Sequence, residues 1–424
     1  MAKDTNEAYQ ACPPGGRLHV HTGSAPLPCP VGTPEGWRCL AVEWGMDSGE
    51  RLRGAAWRVL VVLAVLGVLP GCQTLSAVQV PPDASELRFS GRVDRSAPEG
   101  PRFAWSGTSL TVRFTGTSLG LRLRELPKKG EGGPNRFRVS VDGQPWRDLY
   151  LDWVPVLYRV AEGLPPGEHV LRLEKETEAL VGEVQLLGLV LDPGARVLPA
   201  PPAPSRRLEF IGDSGLTGFG IEGKDVKCGF SPETQRASLT WPLLTAQALE
   251  AEAFLLAVSG KGVAVNYNDD PTPSMAQLYE RTLPDREDSR WDFQAWQPDA
   301  VLIQLGSNDF WKRHPGTARF RGAYEGLVRS IRARYPQAPI VCLLGPGLFD
   351  DWPPGVHARA SLRALLSDMV EALRQEGETR VHLVEVPVRA REEGIGCQWH
   401  PSARTHQRVA GQLTALLREL LGWQ

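Results

Sequence analysis

Hydrophobic and polar residues alternate with a period of two along much of the chain between residues 86 and 191. Such alternation is typical of strands that bury one face only, and turn-forming residues separate the alternating segments. Asp142-Gly143 directly follows one segment and is a strong signal for a β-hairpin turn. Residues 86–195 are therefore predicted to form an antiparallel β-sandwich, a jelly roll. The alternating positions are Leu110, Val112, Phe114, Leu119, Leu121, Leu123, Phe137, Val139, Val141, His169, Leu171 and Leu173.

From about residue 205 the pattern changes to short apolar runs separated by amphipathic segments. Runs of this length match strands buried on both faces, and the segments between them have helical spacing. We therefore predict an α/β domain over residues 205–424, with a five-stranded parallel sheet in a flavodoxin-like order. The predicted strands are Leu208–Ile211, Ala253–Val258, Ala300–Leu305, Ile340–Leu344 and Val381–Val386. The helical faces are formed by Phe320, Tyr324, Leu327, Val328 and Ile331, and by Val409, Leu413, Leu416, Leu417 and Leu420.

The first 72 residues follow neither pattern. Residues 1–45 are rich in Pro and Gly and are expected to be disordered or a mis-annotated extension. Residues 46–72 combine arginines, the apolar run 59–69 and Cys72, which predicts an export signal too short to span a bilayer. Apart from Pro70 this segment resembles a bacterial lipoprotein signal, which implies a lipid anchor at Cys72; the alternative is an ordinary signal with a chance cysteine. We expect a cell-envelope lipoprotein, in the outer membrane or periplasm, or a secreted protein.

Composition narrows the range of functions. The 424 residues are 42% hydrophobic and 23% charged, which is typical of globular domains. A net charge of -2 gives no electrostatic basis for nucleic-acid binding. No Cys-x-x-Cys pair occurs, so neither a zinc ribbon nor a redox motif is expected, and Cys342 in an apolar run is expected to be a core thiol. The sequence leaves open whether Cys228 and Cys397 form a disulfide.

Candidate catalytic groups follow the ends of the predicted strands. Ser214 ends a Gly-Asp-Ser turn after the first strand, and Gly260, Asn308 and His400 follow later strands. The carboxyl ends of parallel strands converge on one crevice, so these groups are expected to meet. Ser214 would be the nucleophile and His400 the general base and acid, while the N–H groups of Ser214 and Gly260 and the side-chain amide of Asn308 would form an oxyanion hole. Pro401 is predicted at the first position of the last helix.

These four blocks, in this order, resemble the SGNH (GDSL-type) hydrolase superfamily. The segments 172–178, 259–263, 305–310 and 396–402 further resemble carbohydrate esterase family 2, and the likeness covers roughly residues 86–424. That family joins an amino-terminal jelly roll to an SGNH domain and removes acetyl groups from plant polysaccharides such as xylan and glucomannan. The resemblance implies a carboxylic ester hydrolase that acts on acetylated polysaccharide without a metal or any other cofactor.

One departure from the family pattern concerns His400. Many SGNH enzymes carry Asp three residues before the histidine, and related esterases carry it two before; here these positions are Cys397 and Gln398. A carboxylate normally fixes the imidazole tautomer and stabilises its charged form. We infer a Ser214–His400 dyad whose imidazole is held by a main-chain carbonyl or by the Gln398 side chain. A damaged, slow enzyme is the alternative. Three tryptophans near the site loops are candidates for stacking on sugar rings: Trp311, Trp352 and Trp399.

Two other functions remain open from the sequence. One is an SGNH esterase or thioesterase for cell-wall glycan or lipid, and the other is a catalytically impaired, carbohydrate-binding lipoprotein.

The β-sandwich is expected to be a packing partner of the α/β domain, or else an added wall of the substrate groove or a carbohydrate contact surface.

Overall fold

The computed structural model describes residues 76–128 and 133–424. The expectations for residues 1–45, for residues 46–72 and for a lipidated Cys72 therefore concern positions outside the described residues. Within the described ranges, no helix combines the length and the apolar character that crossing a membrane requires.

The first part of the structure is a sandwich of two antiparallel β-sheets, as the alternating pattern predicts. One sheet has the order β1-β10-β5-β8, with β3 also on β10, and the other has the order β11-β4-β9-β6-β7, with β2 also on β4. Side chains from both sheets form one buried apolar cluster between them. The strands are β1 (Val78–Val80), β2 (Arg88–Ser90), β3 (Arg102–Phe103), β4 (Ser109–Gly116), β5 (Leu119–Pro127), β6 (Arg136–Val141), β7 (Arg147–Tyr150), β8 (Val156–Ala161), β9 (Gly167–Lys175), β10 (Gly182–Leu191) and β11 (Val197–Leu198).

The predicted hairpin turn joins β6 to β7. Asp142 and Gly143 have φ angles of 53° and 72°, which is the left-handed geometry that two-residue hairpin turns require. The register pairs Val139 with Arg147, and the alternation places Phe137 and Val139 in the core between the sheets.

The second part of the structure is a five-stranded parallel sheet in the predicted flavodoxin-like order, β13-β12-β14-β15-β16. The observed bounds differ from the predicted ones by at most two residues at either end, because the apolar runs coincide with strands that are buried on both faces. The strands are β12 (Arg206–Gly212), β13 (Ala251–Ala257), β14 (Ala300–Gln304), β15 (Ile340–Leu344) and β16 (Val381–Glu385).

Helices cover this sheet on both faces. Apolar clusters on the two faces combine strand and helix side chains, and they include the predicted faces around Tyr324 and Leu413. Cys342 is a buried free thiol, as predicted. The helices are α1 (Ser214–Thr217), α2 (Trp241–Ala248), α3 (Met275–Leu278), α4 (Thr317–Arg334), α5 (Ala358–Gln375) and α6 (Ala403–Leu421).

The prediction that Pro401 begins the last helix is wrong. Helix α6 begins at Ala403, and the Ser402 hydroxyl caps it by accepting a hydrogen bond from the N–H of Thr405. Pro401 instead pairs with Ile395 in an isolated antiparallel bridge. A serine side chain can satisfy an N–H of the first helical turn, so it marks the helix start more strongly than the proline before it.

Candidate active site

Ser214 lies where β12 passes into α1. The strand ends at Gly212, Asp213 is the N-cap of the helix, and Ser214 is its first residue. The Asp213 carboxylate accepts a hydrogen bond of 2.9 Å from the N–H of Gly215, which fixes the turn. Burial is the main reason that the pKa of Asp213 is raised to about 7. The half-buried Ser214 hydroxyl is thereby presented at the carboxyl edge of the sheet.

The structure brings His400 to Ser214, although the two are 186 residues apart in the sequence. His400 Nε2 is 2.8 Å from Ser214 Oγ, and His400 Nδ1 is 2.9 Å from the carbonyl oxygen of Cys397. A carbonyl can only accept, so Nδ1 carries the proton and the lone pair of Nε2 faces the hydroxyl. The Phe219 ring lies against the imidazole, with centroids 4.2 Å apart. Burial lowers the pKa of His400 to about 4, and the positive charge of Arg389 adds to the effect.

A short turn, Cys397–Trp399, determines the position of His400. Its backbone is unusual because Gln398 and Trp399 both have positive φ angles, 47° and 66°. Cys397 forms a disulfide with Cys228, and its N–H donates to the carbonyl of Gly220. The Gln398 side chain is exposed and makes no hydrogen bond with described residues. Of the two predicted ways to hold the imidazole, the main-chain carbonyl is the one that the structure adopts.

Gly260 lies in the loop after β13, close to the serine turn. Its φ of 78° is in the left-handed region, which favours glycine, and its carbonyl accepts a hydrogen bond of 2.8 Å from the N–H of Tyr267. Its own N–H donates to no acceptor in residues 76–128 and 133–424. The N–H of Ser214 belongs to the first turn of α1, where backbone donors have no partner within the helix.

Asn308 is also brought to the site, but its amide group already has partners. Asn308 Nδ2 donates to the carbonyl of Lys261 at 3.0 Å and to Asp213 Oδ2 at 3.2 Å. The neighbouring Asp309 carboxylate accepts from the N–H groups of residues 263, 264 and 265 at 2.7–3.0 Å. The two aspartates therefore hold loops in place. To bind an oxyanion, Asn308 Nδ2 would have to give up only the longer of its two hydrogen bonds, the one to Asp213.

An aromatic wall flanks the Gly260 loop. Tyr267, Trp311 and Trp352 follow one another, with ring centroids 4.9 Å apart for the first pair and 6.1 Å for the second. All three side chains are exposed. The third predicted tryptophan, Trp399, is 64% exposed on the turn before His400 and is not part of this wall.

Sequence reasoning missed three residues around the site. Phe219 contacts the imidazole, Tyr267 begins the aromatic wall, and the buried carboxylate of Glu178 accepts hydrogen bonds from Ser259, next to Gly260. Only Glu178 carried a signal, since three glutamates lie within the five residues 174–178 at the end of a strand pattern.

In residues 76–128 and 133–424, no three His, Cys, Asp or Glu side chains are grouped so that they could hold a metal ion.

Comparison with known proteins assigns the chain to a family. The model of the carbohydrate esterase 2 N-terminal domain matches residues 89–201, and that of the GDSL-like lipase/acylhydrolase family matches residues 210–408. The solved structure of a family two carbohydrate esterase from Clostridium thermocellum, in complex with cellohexaose, is 36% identical, with a TM-score of 0.73. The match covers 80% of this chain and all of that one. The chain belongs to carbohydrate esterase family 2.

Curated relatives place this family 2 esterase among the carboxylic ester hydrolases of the GDSL type. The cellulase/esterase CelE of Acetivibrio thermocellus is 36% identical over 341 residues, which are 80% of this chain and 40% of that protein. The chain thus spans less than half the length of CelE. An acetylxylan esterase / glucomannan deacetylase of Cellvibrio japonicus is 28% identical, and the match covers 85% of this chain and 98% of that protein.

Proposed function

We propose that this family 2 esterase removes O-acetyl groups from a polysaccharide by means of a Ser214–His400 dyad. The observation that carries the proposal is the hydrogen bond of 2.8 Å between His400 Nε2 and Ser214 Oγ, with the other ring nitrogen held by a carbonyl. The names of the relatives from Cellvibrio japonicus, acetylxylan esterase / glucomannan deacetylase, support acetylated glycan as the substrate.

The reaction would proceed in two steps. Ser214 Oγ forms a bond to the acetyl carbon while its proton passes to His400 Nε2. The oxyanion is bound by the N–H groups of Ser214 and Gly260 and by Asn308 Nδ2, which exchanges its bond to Asp213 for one to the oxyanion. The protonated imidazole then gives its proton to the departing sugar oxygen. In the second step His400 takes a proton from water as the water oxygen forms a bond to the acetyl carbon. The bond between that carbon and Ser214 Oγ then breaks, the imidazolium returns its proton to Oγ, and acetate leaves.

The imidazolium formed in each step would be stabilised only modestly. A carbonyl dipole at Nδ1 offers less stabilisation than the full negative charge of a carboxylate, which predicts a moderate turnover number. The same arrangement keeps His400 neutral in the resting enzyme, so the base is ready without prior loss of a proton.

The experiment that tests this function compares wild type with Ser214→Ala on p-nitrophenyl acetate, butyrate and octanoate, and on acetylated xylan and glucomannan. We expect turnover of acetate and release of acetic acid from both polymers, and a loss of kcat of at least about 10³-fold in the variant. Preference for octanoate would instead favour the lipid esterase. Wild type that is as inactive as Ser214→Ala, with glycan binding retained, would favour the impaired, carbohydrate-binding protein.

We further propose that the protein is exported and carries a lipid anchor at Cys72. The arginines, the short apolar run and the cysteine that follows it support this proposal. Fractionation of cells that express wild type or Cys72→Ser tests it. The wild type should sediment with membranes and the variant should not, whereas equal membrane association of both would contradict the anchor.

A further inference from the structure

The segment between β9 and β10 carries carboxylates from the β-sandwich into the α/β part of the molecule. Glu176 and Glu178 both lie on it, and both side chains are completely buried. Lys175 Nζ fixes the segment by donating to the carbonyls of Thr177 at 2.8 Å and Glu178 at 3.1 Å. The two glutamates are therefore held at defined positions against the second domain.

Glu178 makes a two-point contact with the residue before Gly260. Its Oε2 accepts from the Ser259 N–H at 2.8 Å, and its Oε1 accepts from the Ser259 hydroxyl at 2.6 Å. Both hydrogen-bond donors of Ser259 are thus tied to one rigid carboxylate. The peptide that follows Ser259 contains the N–H of Gly260, so the orientation of that N–H depends on where Ser259 is held.

The same carboxylate also reaches the helix that carries the nucleophile. Thr217, the last residue of α1, has its hydroxyl 3.4 Å from Glu178 Oε1 and 3.4 Å from Ser259 Oγ. Glu178 therefore connects the Ser214 helix to the Gly260 loop, and both would supply donors to the oxyanion.

We propose that Glu178 is a positioning residue through which the β-sandwich sets the geometry of the oxyanion hole. The inference rests on the function proposed above, because it assigns a role within the same site. A carboxylate that accepts two short hydrogen bonds from one residue restricts that residue more than a neutral acceptor would. The sandwich would thus contribute to turnover, in addition to packing against the hydrolase domain.

The chain offers a matched control for the cost of losing a buried carboxylate. Glu176 holds Ser238 in the same way, with Oε2 2.9 Å from the Ser238 N–H and Oε1 2.7 Å from its hydroxyl. Ser238 lies in a short turn before α2 and supplies nothing to the proposed oxyanion hole. Glu176 Oε1 is in addition 3.4 Å from Arg138 Nε, so Glu176→Gln should cost at least as much stability as Glu178→Gln, whereas only Glu178→Gln should impair catalysis.

The test measures kcat and KM for p-nitrophenyl acetate in wild type, Glu178→Gln, Glu178→Leu, Glu176→Gln and Ser259→Ala, each checked for folding by circular dichroism. Outright loss of an oxyanion donor costs about 10²–10³-fold in kcat. We expect Glu178→Leu to lose at least about tenfold in kcat with KM changed by less than about twofold. Glu178→Gln, which keeps one acceptor, should recover part of the loss. Glu176→Gln should retain the wild-type kcat.

A further measurement covers the case in which Glu178→Leu does not fold. Ser259→Ala removes one of the two contacts from the other side, so it should lower kcat, and combining it with Glu178→Gln should add little. Equal kcat in Glu178→Gln, Glu176→Gln and wild type would overturn the inference, as would additive effects of the double variant. Failure of the proposed function is distinguishable, because Ser214→Ala would then be as active as wild type.

Discussion

The imidazole of His400 lies between Ser214 Oγ and the carbonyl of Cys397, and within the described residues no carboxylate hydrogen-bonds to it. Burial disfavours its charged form, and so does the guanidinium of Arg389, so both lower its pKa. A base of this kind is weak but remains neutral over a wide pH range. Its protonation state is then set by desolvation, whereas in a Ser-His-Asp triad the carboxylate favours the charged form.

This environment predicts the acid limb of the pH profile. The base works in its neutral form, and a pKa lowered from 6.5 to about 4 means that this form persists as the pH falls until it is lost near pH 4. We expect kcat/KM for p-nitrophenyl acetate to stay near its plateau down to pH ~5 and to fall tenfold per unit below pH ~4. The measurement is a pH–rate profile, with circular dichroism at each pH to confirm folding.

The buried carboxyl of Asp213 titrates in the same experiment but should contribute little. Its pKa is raised to about 7, yet its role is to accept hydrogen bonds from the N–H of Gly215 and from Asn308 Nδ2, and a protonated carboxyl can still accept both. An acid limb centred near pH 6.5–7 would contradict the prediction, because it would mean either that His400 keeps its ordinary pKa or that turnover needs the ionised form of Asp213.

Residue roles that depend on main-chain atoms are the ones that sequence predicts least well. The pattern pointed to Ser214 and His400, because side-chain type and strand-end position carry the signal. The sequence could offer only two candidates for the group that holds His400, since a carbonyl oxygen is present at every residue. Glu178 was missed for another reason: it is 81 residues from Ser259, and only the packing of two domains brings them together.

At the scale of elements, the turn Cys397–Trp399 is the least regular part of the site. Two consecutive non-glycine residues with positive φ cost of order 1–3 kcal/mol each, so surrounding contacts must hold them. The disulfide to Cys228 is one such contact, and the turn around Gly223 packs so closely that a Cβ there would overlap both sulfur atoms.

The disulfide is therefore predicted to support turnover as well as stability. Cys228→Ser frees the turn while leaving Cys397 and its carbonyl in place, so the imidazole should lose its fixed orientation. We expect kcat to fall about tenfold or more, with KM nearly unchanged. A tenfold loss corresponds to about 1.4 kcal/mol, which is within the range for holding one non-glycine residue at positive φ. Steady-state kinetics on p-nitrophenyl acetate well below the melting temperature measure this.

Reductant provides the control for this variant. Dithiothreitol should lower kcat of the wild type to the level of Cys228→Ser and should not change Cys228→Ser itself, because the third cysteine of the described residues, Cys342, is buried and unpaired. Full activity of the reduced wild type would show that the other contacts of the turn suffice.

The aromatic wall of Tyr267, Trp311 and Trp352 combines side chains from three loops, and it is predicted to bind the polymer but not the acetyl group. Trp311→Ala and Trp352→Ala should each raise KM for acetylated glucomannan about tenfold, which corresponds to about 1.4 kcal/mol of binding. Neither should change kcat/KM for p-nitrophenyl acetate. Trp146→Ala, which alters an exposed tryptophan of the sandwich outside this wall, is the control. An unchanged KM for the polymer in both wall variants would count against stacking.

At the scale of elements, prediction succeeded where one face or both faces of a segment are buried. The period of two gave β4, β5, β6 and β9, and the short, mostly apolar runs gave all five parallel strands. Prediction failed at the start of α6, because Pro401 and Ser402 are both residues that commonly begin a helix. Only the bridge between Pro401 and Ile395 shows that the proline lies outside the helix.

At the scale of the whole molecule, Arg92 links the sandwich to the parallel sheet. Its side chain is fully buried and pairs with Glu209 of β12 at 3.3 Å, and it also donates to the carbonyls of Tyr279 and Arg281. The guanidinium lies 5.0–5.2 Å from the ring centroids of Tyr279, Trp291 and Phe293. The sequence gives no sign of this pairing, because its members lie in different domains and 117 residues apart.

This buried pair yields a stability prediction that involves both domains. Arg92→Met leaves the Glu209 carboxylate buried without its cation, so the free energy of unfolding should fall by about 3–5 kcal/mol. Adding Glu209→Gln removes the uncompensated charge and should restore much of that loss, since the amide can still accept from the Tyr279 hydroxyl, now 2.9 Å from Glu209. Urea denaturation measures both effects, and Arg113→Met, which breaks an exposed pair, should cost less than about 1 kcal/mol. If the double variant is no more stable than Arg92→Met, the packing of the arginine, and not its charge, holds the two domains together.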